Sequence, residues 1–385
     1  MEVFFTEDEF VIEGKSHRGI PFLLDQEMRE VVPVNDYLFH IGVVRGRTAS
    51  PATWKTYAND LYDYFSYLEA NELNWNVVTP EQIAVWRNTM IENPSALTGA
   101  ALTHSTINQR IRTVARFYEW SATRGLIEQV PFTREVVTVS RPRHFFAHTD
   151  TAGGKLLANA LTLRQFERPP AFLSLEQLPV FIAALRPKRN QLMAWMMVEM
   201  GLRREETAGF ACSVLPNTIG HSGNQMLKVT LVPTKTPTKG DRERWVQMSP
   251  QLAGVLWQYR QVDRTRPARL HRAKHGMDTD RLFLTEYGDP VSPKGMNNAF
   301  RKASEQTGIH CTPHMLRHTF GTYELLRLEQ RMNQGNALLW VKERMGHYSI
   351  QTTLRYAHLA TALDQQVLDA YQENVSAMMI AVLDG

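Results

Sequence analysis

The sequence predicts a mainly α-helical chain of two domains, with one small β-hairpin or sheet in the second, an α+β arrangement dominated by α. Three observations carry this. Apolar residues recur at helical spacing through both halves. Between the halves the periodicity is lost, over a stretch holding Gly153-Gly154 and Pro169-Pro170. One alternating pattern stands in the second half: Leu227-Lys228-Val229-Thr230-Leu231-Val232, a turn rich in Pro and Gly, then Trp245-Val246-Gln247-Met248. At 385 residues the chain is ample for two cores.

Taken in order, residues 1–36 are acidic, with short apolar stretches, Val3-Phe4-Phe5 and Phe10-Val11-Ile12, that suit a small hairpin or packing on the next domain. They have no assigned role. The first domain, residues 37–135, opens its helices near Thr53, where Tyr57, Leu61, Tyr64, Phe65 and Leu68 share a face up to Ala70. Thr79-Pro80-Glu81-Gln82 is a capping box with proline at the first helical position, leading through Val85 and Trp86. A third helix runs from about Ser105 to Ala122, its apolar face made by Ile107, Ile111, Val114, Phe117 and Tyr118. Arg112 and Arg116 project oppositely, and Arg110 lies to one side. Residues 136–170 read as the linker. Ser174-Leu175-Glu176-Gln177 is a second capping box, opening a domain that spans residues 171–385. At its end Leu363, Val367, Tyr371, Val375, Met378, Met379 and Val382 recur every three or four residues, one apolar stripe on a helix.

The chemistry-bearing residues fall in the second domain. In Thr312-Pro313-His314-Met315-Leu316-Arg317-His318-Thr319-Phe320, a spacing of three puts His314 and Arg317 on one helical face, so an imidazole and a fixed cation share a pocket. His314 and His318 could be read as a zinc pair. Met315 stands where the common metalloprotease motif has its glutamate, and no further ligands cluster nearby. Upstream, Gly201-Leu202-Arg203-Arg204-Glu205-Glu206 follows the apolar run 192–198. Downstream, Gly346-His347 precedes Tyr356 by nine residues, in Gly346-His347-Tyr348-Ser349-Ile350-Gln351-Thr352-Thr353-Leu354-Arg355-Tyr356.

These three boxes, in this order, resemble those of the tyrosine recombinases, the phage-integrase family. The resemblance runs from about residue 37 onward and is most specific in the boxes themselves. It implies a two-domain C-shaped DNA clamp, with residues 37–135 as the helical core-binding domain and 171–385 as the catalytic domain. It implies Arg203, His314, Arg317 and His347 as catalytic residues, Tyr356 as the nucleophile, and a lysine on the β-hairpin. Aligning Glu243-Arg244-Trp245-Val246 with the family's second strand makes that lysine Lys239, with Lys235 as the alternative. Two departures stand out: Arg204 replaces a small or apolar residue, and Thr236-Pro237-Thr238 prolongs the hairpin loop.

The implied chemistry needs these residue types. Charge gathers on the phosphate oxygens during attack, and two guanidiniums on separate elements stabilise it there more than in the ground state. Arginine's planar fork meets two oxygens and does not titrate near neutrality. A tyrosine, with an ordinary pKa of about 10, attacks only when a base removes its proton or cations lower that value. His314 is the expected base, Lys239 the acid that protonates the departing 5′ oxygen, and His347 a hydrogen-bond partner of the phosphate. The scheme needs no metal or other cofactor, and a 3′-phosphotyrosine link can be resealed by a second 5′-hydroxyl without ATP. On this reading the chain cuts and rejoins double-stranded DNA at recombination sites, in integration, excision or transposition of a mobile element. It acts as a homotetramer whose C-terminal helix is exchanged between protomers, with accessory proteins as further partners. Arg110, Arg112, Arg116, Arg242 and Arg244 are the expected DNA contacts. Two other classes stay open: a type IB topoisomerase, marked by relaxation at arbitrary sites, and a non-catalytic DNA-binding protein on the same fold.

Charge patterning fits a nucleic-acid partner. The net charge is +4, but residues 1–150 hold 14 Lys and Arg against 19 Asp and Glu, and the remainder 29 against 20. The basic excess lies with the second domain, where a phosphate backbone would be held. Two cysteines, Cys212 and Cys311, imply no disulfide framework. The acidic start lacks a signal peptide's apolar core and no stretch reaches membrane-span length, so a cytoplasmic location and no membrane partner are expected.

Overall fold

The structure is a computed structural model that describes the chain except residues 46–49, 95–98, 140–153, 166–169, 218–224, 239, 361–370 and 385. It divides into two compact units, residues 1–167 and 168–385. Both are mainly helical, and the sheets are antiparallel pairs of strands.

The first unit opens with β1 (Glu2–Phe5), β2 (Val11–Ile12), β3 (Lys15–Ser16) and β4 (Pro21–Leu24), pairing β1 with β4 and β2 with β3. This opening is built into the helical core rather than appended to it. Leu23 is fully buried beside Val34 and Tyr37 of α1 (Val32–Phe39). The Asn35 side chain accepts from the Leu23 amide at 2.7 Å and donates to its carbonyl at 3.0 Å, and that carbonyl also accepts from the Val31 amide at 3.2 Å, so the outer edge of the strand is satisfied.

The helices α2 (Pro51–Ala70), α3 (Pro80–Glu92) and α4 (His104–Thr123) follow the apolar periodicity. Tyr64 and Tyr118, the two tyrosines at the centre of this core, hydrogen-bond through their hydroxyls at 2.7 Å, and Tyr118 donates to the Trp75 carbonyl at 2.9 Å. Both of these hydroxyls therefore meet a partner. The Thr79–Gln82 capping box forms in both directions. In the segment read as an irregular linker, β5 (Arg134–Val139) and β6 (Gly154–Asn159) pair in antiparallel register from Arg134 opposite Asn159 to Val139 opposite Gly154. The β-branched run Val136-Val137-Thr138-Val139 accounts for the strand.

The second unit is organised by α6 (Lys188–Met200), which follows α5 (Gln177–Ala184). Every residue from Leu192 to Val198 is buried, so α6 is apolar all round, as a central helix must be. Around it lie α7 (Arg204–Ala208), the hairpin β7 (Leu227–Leu231) and β8 (Arg244–Met248), α8 (Pro250–Gln261), α9 (Thr265–His275), α10 (Pro293–Thr307), α11 (Pro313–Glu329), α12 (Gln334–Met345), α13 (Ile350–Ala360) and α14 (Tyr371–Asp384). Both cysteines are buried and free.

The C-terminal stripe does pack. Val375 and Met379 of α14 are buried in the core of their own unit, which also holds Leu178, Phe181 and Ile182 of α5. Leu363 and Val367, expected on the same stripe, lie outside the described residues. Among the described residues, no helix is long and apolar enough to cross a membrane.

Candidate active site

The site is assembled where α6 and α12 end, and both ends require glycine. Gly201 caps α6 at φ +63°, and a Cβ there would stand 2.4 Å from the Phe320 ring. Gly346 caps α12 at φ +60°, and a Cβ would meet the Arg244 side chain at 2.9 Å. A left-handed cap turns the chain sharply, and here it also lets side chains approach the backbone closely.

Arg203 follows the first cap and stands at the N-terminus of α7. Its amide donates to Glu206 at 2.7 Å, its Nη1 to the same carboxylate at 3.0 Å, and its Nη2 to the Gly346 carbonyl at 2.7 Å. Arg317 arrives on α11, whose start is capped by Thr312 with Pro313 in the first turn. It is 1% exposed, and its guanidinium donates to the carbonyls of Gly201 and Met345, binding the ends of α6 and α12 to α11. Those carbonyls belong to the negative ends of two helices, a suitable setting for a buried cation. Burial and the neighbouring Arg203 charge still pull Arg317 down to about 9.

Glu206 is the counterion beneath the arginines. Burial alone would raise its pKa, but hydrogen bonds and charge from Arg244, with the charges of Arg317 and Arg203, hold it at about 2. Arg244 lies on β8 with its side chain turned inward, both terminal nitrogens on Glu206 and its Nε donating to the Arg344 carbonyl at 3.1 Å. Sequence reading had set Arg244 among the DNA contacts. Its guanidinium is instead engaged inside the protein, because Arg244, Val246 and Met248 share the inward face of the strand. Neighbouring Arg344 is buried between Trp245 and Trp340, 3.0 and 4.2 Å from their ring centroids, and ties α12 to the hairpin.

His314 and His318 lie one turn apart on α11, ring centroids 4.2 Å apart. His314 is open to solvent on one side, yet desolvation and then the Arg317 and Arg203 charges lower its pKa. His347 follows the Gly346 cap; its Nδ1 is hydrogen-bonded to Thr353 Oγ1 at 2.9 Å, and burial plus Arg317 and Arg203 pull it down to about 2. Tyr356, on α13, is 1% exposed. Burial pushes its phenol up to about 12, against the opposing pull of Arg317, Arg355 and Arg203. Its hydroxyl is hydrogen-bonded at 2.8 Å to Nδ1 of His318, not to His314.

Arg203, His314, Arg317, His347 and Tyr356, five residues expected at one site, are thus linked by hydrogen bonds, ring contacts or charge within the second unit. Lys239 lies outside the described residues. Its alternative Lys235 is exposed at the hairpin loop, where its carbonyl accepts from Arg281 at 3.0 Å. Arg242 is exposed, its guanidinium 5.1 Å from the ring of Tyr348, itself 83% exposed. In the first unit Arg112 is exposed. Arg116 donates to the Tyr57 hydroxyl at 2.6 Å, and Arg110 pairs with Asp63 at 2.7 Å. Three residues escaped the sequence reading: Glu206, quoted in its box but given no task; Arg244 as an internal cation; and His318, weighed only as a metal ligand.

Comparison with known proteins agrees with this geometry. The model of the phage integrase family matches residues 171–362, and that of the phage integrase N-terminal SAM-like domain matches residues 34–125. Tyrosine recombinase XerC of Oceanobacillus iheyensis is 25% identical over 317 residues, 81% of this chain and 87% of the relative. Transposase A from transposon Tn554 of Staphylococcus aureus is 25% identical over 357 residues, 88% and 90% of the two chains. A Tn1549 transposon integrase in complex with transposon right end DNA superposes with a TM-score of 0.55 at 18% identity, covering 89% of this chain and 98% of the other. XerH site-specific recombinase bound to its difH substrate gives 0.52 at 17% identity, covering 84% and 79%. At these identities the solved structures speak to the fold, a mainly α two-domain architecture.

Proposed function

The chain belongs to the phage integrase family of tyrosine recombinases, and from that premise we propose that it is a site-specific DNA recombinase acting through a 3′-phosphotyrosine intermediate on the ends of a mobile element. The observation that carries the reading is the meeting of Arg203 and Arg317 on the ends of α6 and α12, with His314, His347 and Tyr356 in reach of both charges. The relatives named for transposition and for strand recombination support the same substrate class.

In the proposed reaction Arg203 and Arg317 hold the two non-bridging oxygens of the scissile phosphate and gather the charge that builds during attack. Glu206 holds Arg203 through two hydrogen bonds and adds a counter-charge for Arg317. The Tyr356 oxygen forms a bond to phosphorus as the bond to the 5′ oxygen breaks; the phenolic proton leaves to His314, and Lys239 supplies a proton to the departing oxygen. His347, held neutral and oriented by Thr353, donates a hydrogen bond to the phosphate. Attack by the 5′-hydroxyl of a second duplex then reseals the strand and frees the tyrosine.

At the level of assembly, residues 37–135 and residues 171–385 both bind the duplex, the former with Arg112 and Arg116 on phosphates. Arg242, beside the exposed Tyr348, is the hairpin's contact to the backbone. Four protomers act on paired sites, with accessory proteins where the element requires them. In the tetramer the groove that holds Val375 and Met379 receives the α14 of a neighbour, an exchange that conserves every contact of the closed chain. The reading is tested on a plasmid carrying two copies of the DNA flanking the gene. Reciprocal products joined at the flanks are expected; relaxation of supercoils without partner exchange would replace recombination with nicking and closing.

A further inference from the structure

Among the described residues the hydroxyl that attacks in the scheme above is hydrogen-bonded to His318, and that scheme gives His318 nothing to do. His318 stands one residue past Arg317 and one turn past His314, half-buried against α13. Its Nδ1 lies 2.8 Å from the Tyr356 oxygen. One turn further on, Gly321 comes so close to the tyrosine that a Cβ would stand 2.9 Å from its Cζ, 3.0 Å from its Cε2 and 2.9 Å from the sulfur of Met345. The opposite flank is His347, its ring within 18° of parallel to the phenol and 6.1 Å away.

We propose that His318 is a positioning residue for the nucleophile, fixing the direction of the Tyr356 O–H while the gap at Gly321 admits the ring. This rests on the reading of Tyr356 as the attacking group and adds to it. A phenol can turn its hydrogen to either side of the ring plane axis; anchoring the hydrogen on Nδ1 leaves a lone pair free on the other side, where phosphorus must come. A neutral imidazole is suited to this. Burial, then the charges of His314 and Arg317, pull His318 down to about 3, so it holds a hydrogen bond without taking the proton. The contact acts before the transfer: as the oxygen–phosphorus bond forms, the proton leaves this resting place for His314, one turn away and open to solvent. The two histidines of one helical turn thus divide orientation from proton transfer.

Asparagine and leucine separate the hydrogen bond from the packing, since the asparagine amide stands where Nδ1 stands and leucine has the same shape without a polar atom. The variants His318→Leu and His318→Asn are compared with wild type in single-turnover adduct formation on a nicked suicide duplex from the gene's flanks, with binding followed by gel shift. His318→Leu is expected to bind DNA normally and form adduct about ten- to a hundredfold more slowly, the scale of a misplaced reacting group, and His318→Asn to recover most of the rate. Thermal unfolding of the free protein supplies a readout independent of chemistry. Tyr356→Phe should lower the Tm in wild type and leave it unchanged in the His318→Leu background.

Equal rates for His318→Leu and wild type, or an equal loss in both variants, would overturn the proposal. So would faster adduct formation in His318→Leu, which would mean that the contact stores the tyrosine instead of aiming it, or an absence of coupling in the Tm cycle. Failure of wild type itself to form an adduct would instead count against the phosphotyrosine reading, while the Tm cycle would still judge the hydrogen bond.

Discussion

Three imidazoles at the site are kept uncharged by the protein around them, and this governs how the molecule responds to acid. His318 and His347 are held at about 3 and about 2 against an ordinary 6.5. Below pH 6.5 the unfolded chain therefore binds protons that the folded one refuses, so their contribution to stability is complete above 6.5 and is lost as the pH falls toward the folded values. Each histidine adds at most about 1.4 kcal/mol per pH unit, less where the ring is partly exposed. Urea unfolding should give a lower free energy at pH 5.5 than at 7.5, and His347→Asn should flatten that dependence; a pH-independent free energy would contradict the assignment. Glu206 acts in the same direction, in the lower part of that range. Its depressed pKa contributes stability above about 4.5 that fades only toward 2. Glu206→Gln leaves Arg203, Arg244 and Arg317 without their shared carboxylate, and is expected to cost about 3–5 kcal/mol in the same assay, as for other buried ion pairs broken on one side.

At the residue scale much of the site was legible. The spacing of His314 and Arg317 put them on one face, and the box order gave Arg203, His347 and Tyr356. His318 was not legible, because which ring meets Tyr356 depends on how α13 crosses α11, and sequence spacing along one helix cannot say that. Arg244 was a different matter. Its alternation with Val246 and Met248 turns it inward, a signal present in the sequence and outweighed by the general habit of arginine to face solvent.

At the scale of elements, the site hangs on two helix ends more than on any one helix. Gly201→Ala would place a side chain at φ +63° and 2.4 Å from Phe320, so a loss of about 1–3 kcal/mol from the backbone conformation alone is expected, with a further cost from displaced Phe320. Because the Gly201 carbonyl holds Arg317, the same variant should lose adduct formation even at temperatures where it stays folded. Circular dichroism and the adduct assay on one preparation check both halves; an active, fully stable Gly201→Ala would contradict this account of the α6 end. The helices were legible from periodicity and capping boxes, and their bounds fell close to expectation: α4 runs His104–Thr123 against an expected 105–122. The β5–β6 pair was not, since two strands pairing only with each other leave little apolar alternation to read. Packing of the opening strands on the next domain was one of two readings their apolar stretches allowed; the bonds of Asn35 to Leu23 that fix it are long-range and were not legible.

For the whole molecule, the proposed exchange would make the C-terminal helix the choice between a closed monomer and an assembly. Val375 and Met379 fill a core position in their own unit, so truncation after residue 362 is expected to lower the Tm as well as to abolish assembly on paired sites, while single-site binding survives where the truncated protein is folded. Sedimentation of protein on one-site and two-site DNA measures this, and unchanged assembly of the truncated chain would remove the exchange. The apolar stripe was visible in sequence, but a stripe says only that something covers it, and its own unit and a neighbour offer the same chemistry.

The central claim is that Tyr356 is the nucleophile of a strand-transfer site. Its most direct test is denaturing electrophoresis of the protein with nicked suicide DNA from the flanks of its gene, in EDTA, wild type beside Tyr356→Phe. The account predicts a covalent protein–DNA adduct that forms in wild type and is absent from Tyr356→Phe, although both bind the DNA alike. An adduct that persists in Tyr356→Phe, or DNA bound by wild type with no adduct on the element's own ends, would contradict it.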